Sequence, residues 1–360
     1  MPLRAYLDNE EVISIDQNKE QWDDIKKRLK SKDSVLILPC CSQEGFLRTS
    51  SKGLNHFVHA KSENNCDWKP ESPEHLKAKI EIIEACKENG WKATPEFAGT
   101  NWRADVFAVK NENRIAFEVQ WSKQTFEETK YRQDRYKESK VRGCWFFRTA
   151  PKELRTYDDN LLADKEIPAF KISKDNDSKI IAHLRQTQLS LKSLVGSLLK
   201  GKLKFCEQTQ LKTKQEVTIV FFDTTCWKCH KPQHLWTVEQ NLLTVCNQNF
   251  YIIGTLWEKD DIDKRPEIYE AVKRFSQTEE GNHLIIGELK NRYSNSVEKS
   301  YLSHGCFYCD EIFGDFFMPS IKSEGKYSGN KIIHKVEIDL GMMKEQGNHW
   351  CYSENGQFCE

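Results

Sequence analysis

The sequence has no surplus of charge of either sign: Lys and Arg total 54, and so do Asp and Glu. No global positive field therefore draws in a polyanion, and any contact with nucleic acid must come from a local basic surface. An apolar run behind the first residues is missing as well. MPLRAYLDNEE carries one Arg and no greasy core, so its pattern excludes a secretory signal. The most apolar helical stretch, Leu191–Leu199, is too short to span a bilayer. These two absences predict a cytoplasmic protein with no membrane partner. Internal repeats and low-complexity segments are also absent. With 38% hydrophobic and 30% charged residues the composition is that of a folded globular chain. At 360 residues it exceeds what one hydrophobic core usually serves, which predicts more than one domain.

Cysteine, by contrast, is plentiful. Thirteen cysteines in a reducing compartment read as metal ligands and small buried apolar residues rather than disulfides. Cys226-Trp227-Lys228-Cys229 and Cys306-Phe307-Tyr308-Cys309 are matched pairs at the spacing that lets one tight turn offer two thiolates to a tetrahedral Zn²⁺. The separation between them means that the pairs meet only through tertiary folding. Redox chemistry is the rival reading of such pairs. Two of them with Trp227 and Phe307 alongside suit a closed structural site better, with His230, His234, Cys246 and His304 as substitute ligands.

Between these cysteines and the N-terminus lies a region of alternating pattern. Ser72 as cap, Pro73 at the first helical position and Asn89-Gly90 as terminator predict a helix. Short alternating runs follow around residues 94–97, 102–109 and 114–121. Thr125 and Glu128 form a capping-box pattern that opens a second helix to about Ser139, and Trp145-Phe146-Phe147 reads as a further strand. Helix, three strands, helix, strand is an α/β unit with a mixed sheet. Residues 179–203 have leucines at helical spacing and are expected to form a helical connector. Residues 215–222 are expected to be a strand leading into the first cysteine pair.

The two strands around Lys110-Asn111-Glu112-Asn113 carry the sharpest chemistry. If their turn is centred on Asn111-Glu112, residues equidistant from it pair, which sets Asp105 opposite Glu118 and Arg103 opposite Gln120. Directly opposed side chains have Cβ atoms about 4.5–5.5 Å apart. Two carboxylates that close repel unless something neutralises them, and a hard cation such as Mg²⁺ is one candidate. An exposed polar hairpin face, its charges met by Arg103 or solvent, is the alternative that spacing alone leaves open.

His56-Phe57-Val58-His59, Cys66, the run from Glu71 through Glu74, His75 and Leu76 to Lys79, Trp102-Arg103-Ala104-Asp105-Val106, Ile115-Ala116-Phe117-Glu118-Val119-Gln120, Arg132 with Tyr136, and Trp145 follow one another in a specific order. In these residues the chain resembles the competence protein CoiA-like nucleases, a branch of the PD-(D/E)XK nuclease superfamily, over roughly residues 40–147. The resemblance implies Asp105 and Glu118 as ligands of a catalytic Mg²⁺ or Mn²⁺, with Gln120 where many relatives carry Lys and Glu74 as a further acidic contributor. At about 100° per residue Glu74 falls outside the apolar arc of its helix, whereas His75 and Lys79 face inward as rivals. Arg132, Tyr136 and Lys79 are the expected substrate contacts. Lys123, Lys130, Arg135, Lys137, Lys140 and Arg142 make the neighbourhood of the second helix basic. The resemblance also implies a zinc-finger-like element near the N-terminus, for which Cys40, His56, His59 and Cys66 are the expected set. Only one of the adjacent Cys40 and Cys41 is expected to bind.

The fold class expected is α/β: a mixed-sheet PD-(D/E)XK-like nuclease core at 70–175, preceded by a zinc-finger-like segment at 1–69. A helical connector at 176–214 and a C-terminal α+β domain with a zinc-ribbon-like site at 215–360 follow. The function implied is divalent-metal-dependent hydrolysis of DNA, in uptake, repair or defence. Gln120 and the facing of Glu74 motivate an alternative, a nucleic-acid-binding protein with a degenerate core. A zinc-held adaptor that recruits a protein partner through its C-terminal domain is a third reading.

Overall fold

The computed structural model describes residues 2–51, 53–59, 66, 71–156, 161–184, 187–238, 242–246, 249–250, 266–314, 320 and 331–359. It is a mixed α/β chain built mostly of strands in several sheets. The chain divides into two compact units, one of Met1–Cys206 with Asn348–Gly356 and one of Glu207–Gly347 with Gln357–Glu360. Among the described residues no helix is long and apolar enough to cross a membrane.

The first unit begins with β1 (Arg4–Leu7), β2 (Glu10–Ile13), helix α1 (Lys19–Ser31), β3 (Leu36–Leu38), β4 (Gln43–Thr49) and β5 (Asn55–His59), in a sheet of order β2-β1-β3-β4-β5. Asn18 and Gln21 cap α1 reciprocally, and Trp22 and Ile25 bury its inner face against Ala5, Leu36, Leu38 and Phe57.

A second sheet then forms. Helix α2 (Pro73–Glu88) opens with the Ser72 hydroxyl accepting the His75 N–H and closes before Gly90, whose φ of 71° only glycine adopts freely. Strands β6 (Lys92–Ala98), β7 (Arg103–Lys110) and β8 (Asn113–Gln120), helix α3 (Phe126–Glu138) and β9 (Arg142–Phe147) follow in the expected order. The Thr125–Glu128 capping box opens α3 as expected. β10 (Ala169–Lys174), β11 (Ile180–Leu184) and β12 (Thr187–Ser190) extend the sheet to the order β12-β11-β10-β9-β8-β7-β6, in which β8, β9 and β10 run parallel and the other neighbours antiparallel. α2 and a short helix α4 (Leu191–Leu199) cover one face over Val106, Ala108, Phe117, Val119 and Phe146. Tyr136 of α3 packs on the other face over Ala104, Ala116, Trp145 and Phe147.

The helix expected over 179–203 is confined to α4, and the residues before it are two strands. Ile180, Ala182 and Leu184 are buried with half-buried neighbours between them, a period of two that places them on the sheet. The leucine spacing that suggested a helix belongs only to Leu191, Leu194 and their neighbours.

The second unit is organised on a long strand, Lys214–Thr225, paired antiparallel with Pro232–Val238 and Lys331–Asp339. Helix Pro266–Ser276 buries Ile268, Ala271, Val272 and Phe275 against Val217, Ile219, Phe221 and Trp236. A hairpin of Leu289–Ser294 and Lys299–His304 carries the second cysteine pair at its end.

Candidate metal centre and its neighbours

The β7–β8 register is the one that the turn dictates. Lys110 pairs with Asn113 and Val106 with Phe117 across a two-residue turn in which Asn111 takes a φ of 53°. One step further Asp105 and Glu118 come level. There the ladder changes, and Asp105 turns its Oδ2 to accept the Val119 N–H at 2.8 Å. On the other side β6 pairs Pro95 with Val106 and Phe97 with Ala104, so Glu96 is level with Asp105 as well. Three neighbouring strands thus contribute one acid each to the same rank.

Each acid has its own basic neighbour. His75 Nε2, one turn into α2, lies 3.4 Å from Asp105 Oδ2. Lys79, one turn further on and fully buried, holds Glu71 at 3.0 Å and Glu96 at 2.5 Å. Arg132 Nη2 of α3 reaches Glu118 Oε1 at 2.5 Å, while its guanidinium lies 5.2 Å from the centre of the Trp145 ring. Glu71, His75 and Asp105 each present a ligand atom within 4.8 Å of the other two. Glu118 is fully buried beside them and is not a member of that close group.

These surroundings split the acids electrostatically. Burial works against charge on Asp105, yet His75, Lys79 and the Val119 N–H together hold its carboxyl well below the usual range. For Glu118, burial dominates and the Asp105 charge adds to it, so its carboxyl is pushed up to about 8 in spite of Arg132 and Tyr136. The Tyr136 hydroxyl lies 2.7 Å from the Arg103 carbonyl and also donates to Glu118 Oε1. Lys79 keeps its charge because Glu96, Glu71 and Asp105 together outweigh its burial.

One buried polar atom at this place, Glu118 Oε2, has no hydrogen-bond partner, and His75 Nε2 has only its 3.4 Å contact with Asp105. Stranded atoms of this kind carry a desolvation cost unless a cation meets them. Carboxylate oxygens with one imidazole nitrogen are a donor set that suits Mg²⁺ or Mn²⁺, the nitrogen favouring Mn²⁺. The residues present therefore fit a divalent ion.

Several expected roles change place. Glu74 does not join the group: its carboxylate pairs with Lys174 at 3.0 Å, on the outward side of the first turn of α2. The acids that sequence reasoning passed over are Glu71, just before the cap, and Glu96. Lys79 and Tyr136, expected as substrate contacts, are fully buried beside the acids. Gln120 ends β8 half-buried, level with Phe147 of β9. The polar neighbours of Glu71 and Lys79 at positions eight apart gave no helical-face signal, because Glu71 lies outside the helix.

Each unit contains one cysteine cluster, drawn wholly from its own residues, that could hold a structural metal such as zinc. In the second unit Cys226 Sγ lies 3.7 Å from Cys309 Sγ and Cys229 Sγ 3.6 Å from Cys306 Sγ. A tetrahedral ion with bonds of about 2.3 Å spaces its sulfurs by roughly 3.8 Å. The two turns are alike. The His230 N–H returns to the Cys226 carbonyl and the Asp310 N–H to that of Cys306, with His230 at φ 58° and Asp310 at φ 57°. Backbone N–H groups of Cys229 and Lys228 draw the Cys226 thiol down to about 7 against the effect of burial.

The N-terminal cluster is Cys40, Cys41, His59 and Cys66. His59 Nε2 lies 3.1 Å from Cys40 Sγ and 3.4 Å from Cys66 Sγ, and the adjacent sulfurs are 3.8 Å apart. Burial and the neighbouring Cys41 and Cys66 push the Cys40 thiol up to about 12, a repulsion that a bound cation reverses. His56 is not part of this group; its Nδ1 faces the Leu54 carbonyl at 3.2 Å. His56 and His59 are three apart on β5, so a period of two points them to opposite faces. Both adjacent cysteines belong to the cluster and His56 does not, where one cysteine with both histidines was expected.

A search of curated proteins finds no match. The stretch that carries Glu71, His75, Asp105, Glu118 and Arg132 is a different matter: over residues 71–219 the chain matches the family described as competence protein CoiA, nuclease-like domain.

Proposed function

We propose that the first unit is a divalent-metal-dependent nuclease of PD-(D/E)XK type that hydrolyses phosphodiester bonds of DNA, the polymer that the family's link to competence suggests. The observation that carries this reading is the convergence of Glu71, His75 and Asp105 within 4.8 Å, with the stranded Glu118 Oε2 alongside. The order α2, β6, β7, β8, α3, β9 supports it.

In this reading Asp105 and Glu118 hold the ion with help from Glu71 and His75. A bound Mg²⁺ or Mn²⁺ supplies Lewis-acid polarisation of the phosphate and a water of lowered pKa. Gln120 lacks the charge of a lysine and acts through hydrogen bonds, its carboxamide orienting the attacking water. Arg132 is one-third exposed at its side chain and leaves Glu118 to meet a phosphate oxygen as that acid turns to the ion. Glu74 has no part. The cysteine clusters stay structural, and exposed Trp227 and Phe307 are the surface that the second unit offers a protein partner.

The test is incubation with linear, circular and single-stranded DNA in Mg²⁺ or Mn²⁺, beside Asp105→Ala. Metal-dependent products from the parent chain and none from the folded variant are expected; equal cutting by both sinks the assignment. One observation favours a second reading, a DNA-binding protein with a degenerate core: Arg132 already occupies Glu118. Salt-sensitive DNA binding with no product in either metal selects that reading.

A further inference from the structure

One acid of the rank has no part in the proposed chemistry. Glu96 is 4% exposed, and its φ of 47° is a left-handed conformation that a residue with a Cβ seldom adopts. Strain of this kind persists where the surroundings fix it, and here it aims the carboxylate out of the ladder between Pro95 and Phe97. The carboxylate accepts the Leu3 N–H at 3.1 Å, the Arg4 N–H at 3.2 Å and the Lys79 ammonium at 2.5 Å. Arg4 returns the contact, its guanidinium donating to the Glu96 carbonyl at 3.0 Å. Glu96 therefore joins the first strand of the chain to the buried lysine of α2.

We propose that Glu96 is a positioning residue: braced by the backbone of β1, it fixes Lys79 behind the Glu71–His75–Asp105 group, so that docking of the N-terminal strand sets the charge balance of the cation site. The inference rests on reading that group as a metal centre. Lys79 touches two carboxylates, and one of them, Glu71, belongs to the ligand group. With Glu96 neutralising the ammonium, Glu71 keeps charge to share with an ion. Without Glu96, Lys79 has Glu71 alone, and the ion and the ammonium compete for one acid. An anchor for β1 alone needs only the two N–H contacts; the lysine contact is what reaches the site.

Glu96→Gln keeps the shape and removes the charge. Mn²⁺ affinity in a calorimetric titration is expected to fall by about tenfold in this variant. Adding Lys79→Met to Glu96→Gln is expected to return Mn²⁺ affinity to within about twofold of the parent, since the unpaired charge is then gone. Glu96→Gln with parent-like Mn²⁺ affinity overturns the proposal, and so does a double variant that binds Mn²⁺ no better than the single one. Where the single variant melts too early to assay, a double variant that melts no higher also overturns it. Weaker Mn²⁺ binding by Glu96→Gln in a chain whose parent binds Mn²⁺ but cuts no DNA leaves the positioning role standing and removes the nuclease reading instead.

Discussion

Arg132 and Glu74 separate what touches the proposed site from what merely lies near it. Arg132 holds a fully buried Glu118, so Arg132→Ala is expected to leave that acid with only Tyr136 and to lower cleavage by about 10²–10³-fold. Cleavage by the variant within a few-fold of the parent contradicts the role. Glu74 pairs with Lys174 on the surface, where such pairs contribute under about 1 kcal/mol, so Glu74→Ala should change neither melting nor cutting appreciably. Glu118 also gives a pH dependence. Its folded pKa, near 8, is raised above its ordinary 4.5, so the folded state binds the proton more tightly and stability declines as pH rises through that window. Melting without added Mg²⁺ or Mn²⁺ should therefore drop less between pH 5 and 8 in Glu118→Gln than in the parent; parallel curves contradict the protonated carboxyl.

At the scale of elements, the strand β5 decides which histidine serves the N-terminal cluster. His59→Ala is expected to lose one equivalent of zinc by elemental analysis and His56→Ala none, the reverse of what a His56 ligand requires. That distinction follows from the strand Asn55–His59, since two residues three apart on a strand point to opposite faces; the sequence reading did not assign that strand and kept both histidines. The turn at Asn111-Glu112, by contrast, was legible and fixed the β7–β8 register, and the caps Ser72 and Thr125 fixed the starts of α2 and α3. Other features were not legible. Glu71 lies before its helix and Glu96 on the neighbouring strand, and no periodicity links either to His75; only tertiary packing of α2 on the sheet brings them together. The strands β11 and β12 hid behind leucines of α4, because short apolar runs do not distinguish the two periods.

At the scale of the whole chain, zero net charge means that the proposed DNA affinity has to come from a local basic surface, not from a global field. The cysteine clusters at Cys40 and Cys226 lie outside the stretch 71–147 that bears the acids, and one of them brackets turns of the second unit. Cys226→Ser is expected to broaden or lower the thermal transition of that unit by disrupting its closed site, while Mn²⁺ binding by the first unit persists. The account as a whole stands on a divalent ion held by Glu71, His75, Asp105 and Glu118. Calorimetric titration of Mn²⁺ into the parent chain, Asp105→Ala and Glu74→Ala tests that directly: a site present in the parent and in Glu74→Ala but lost in Asp105→Ala is the expected result, and equal binding by all three contradicts it.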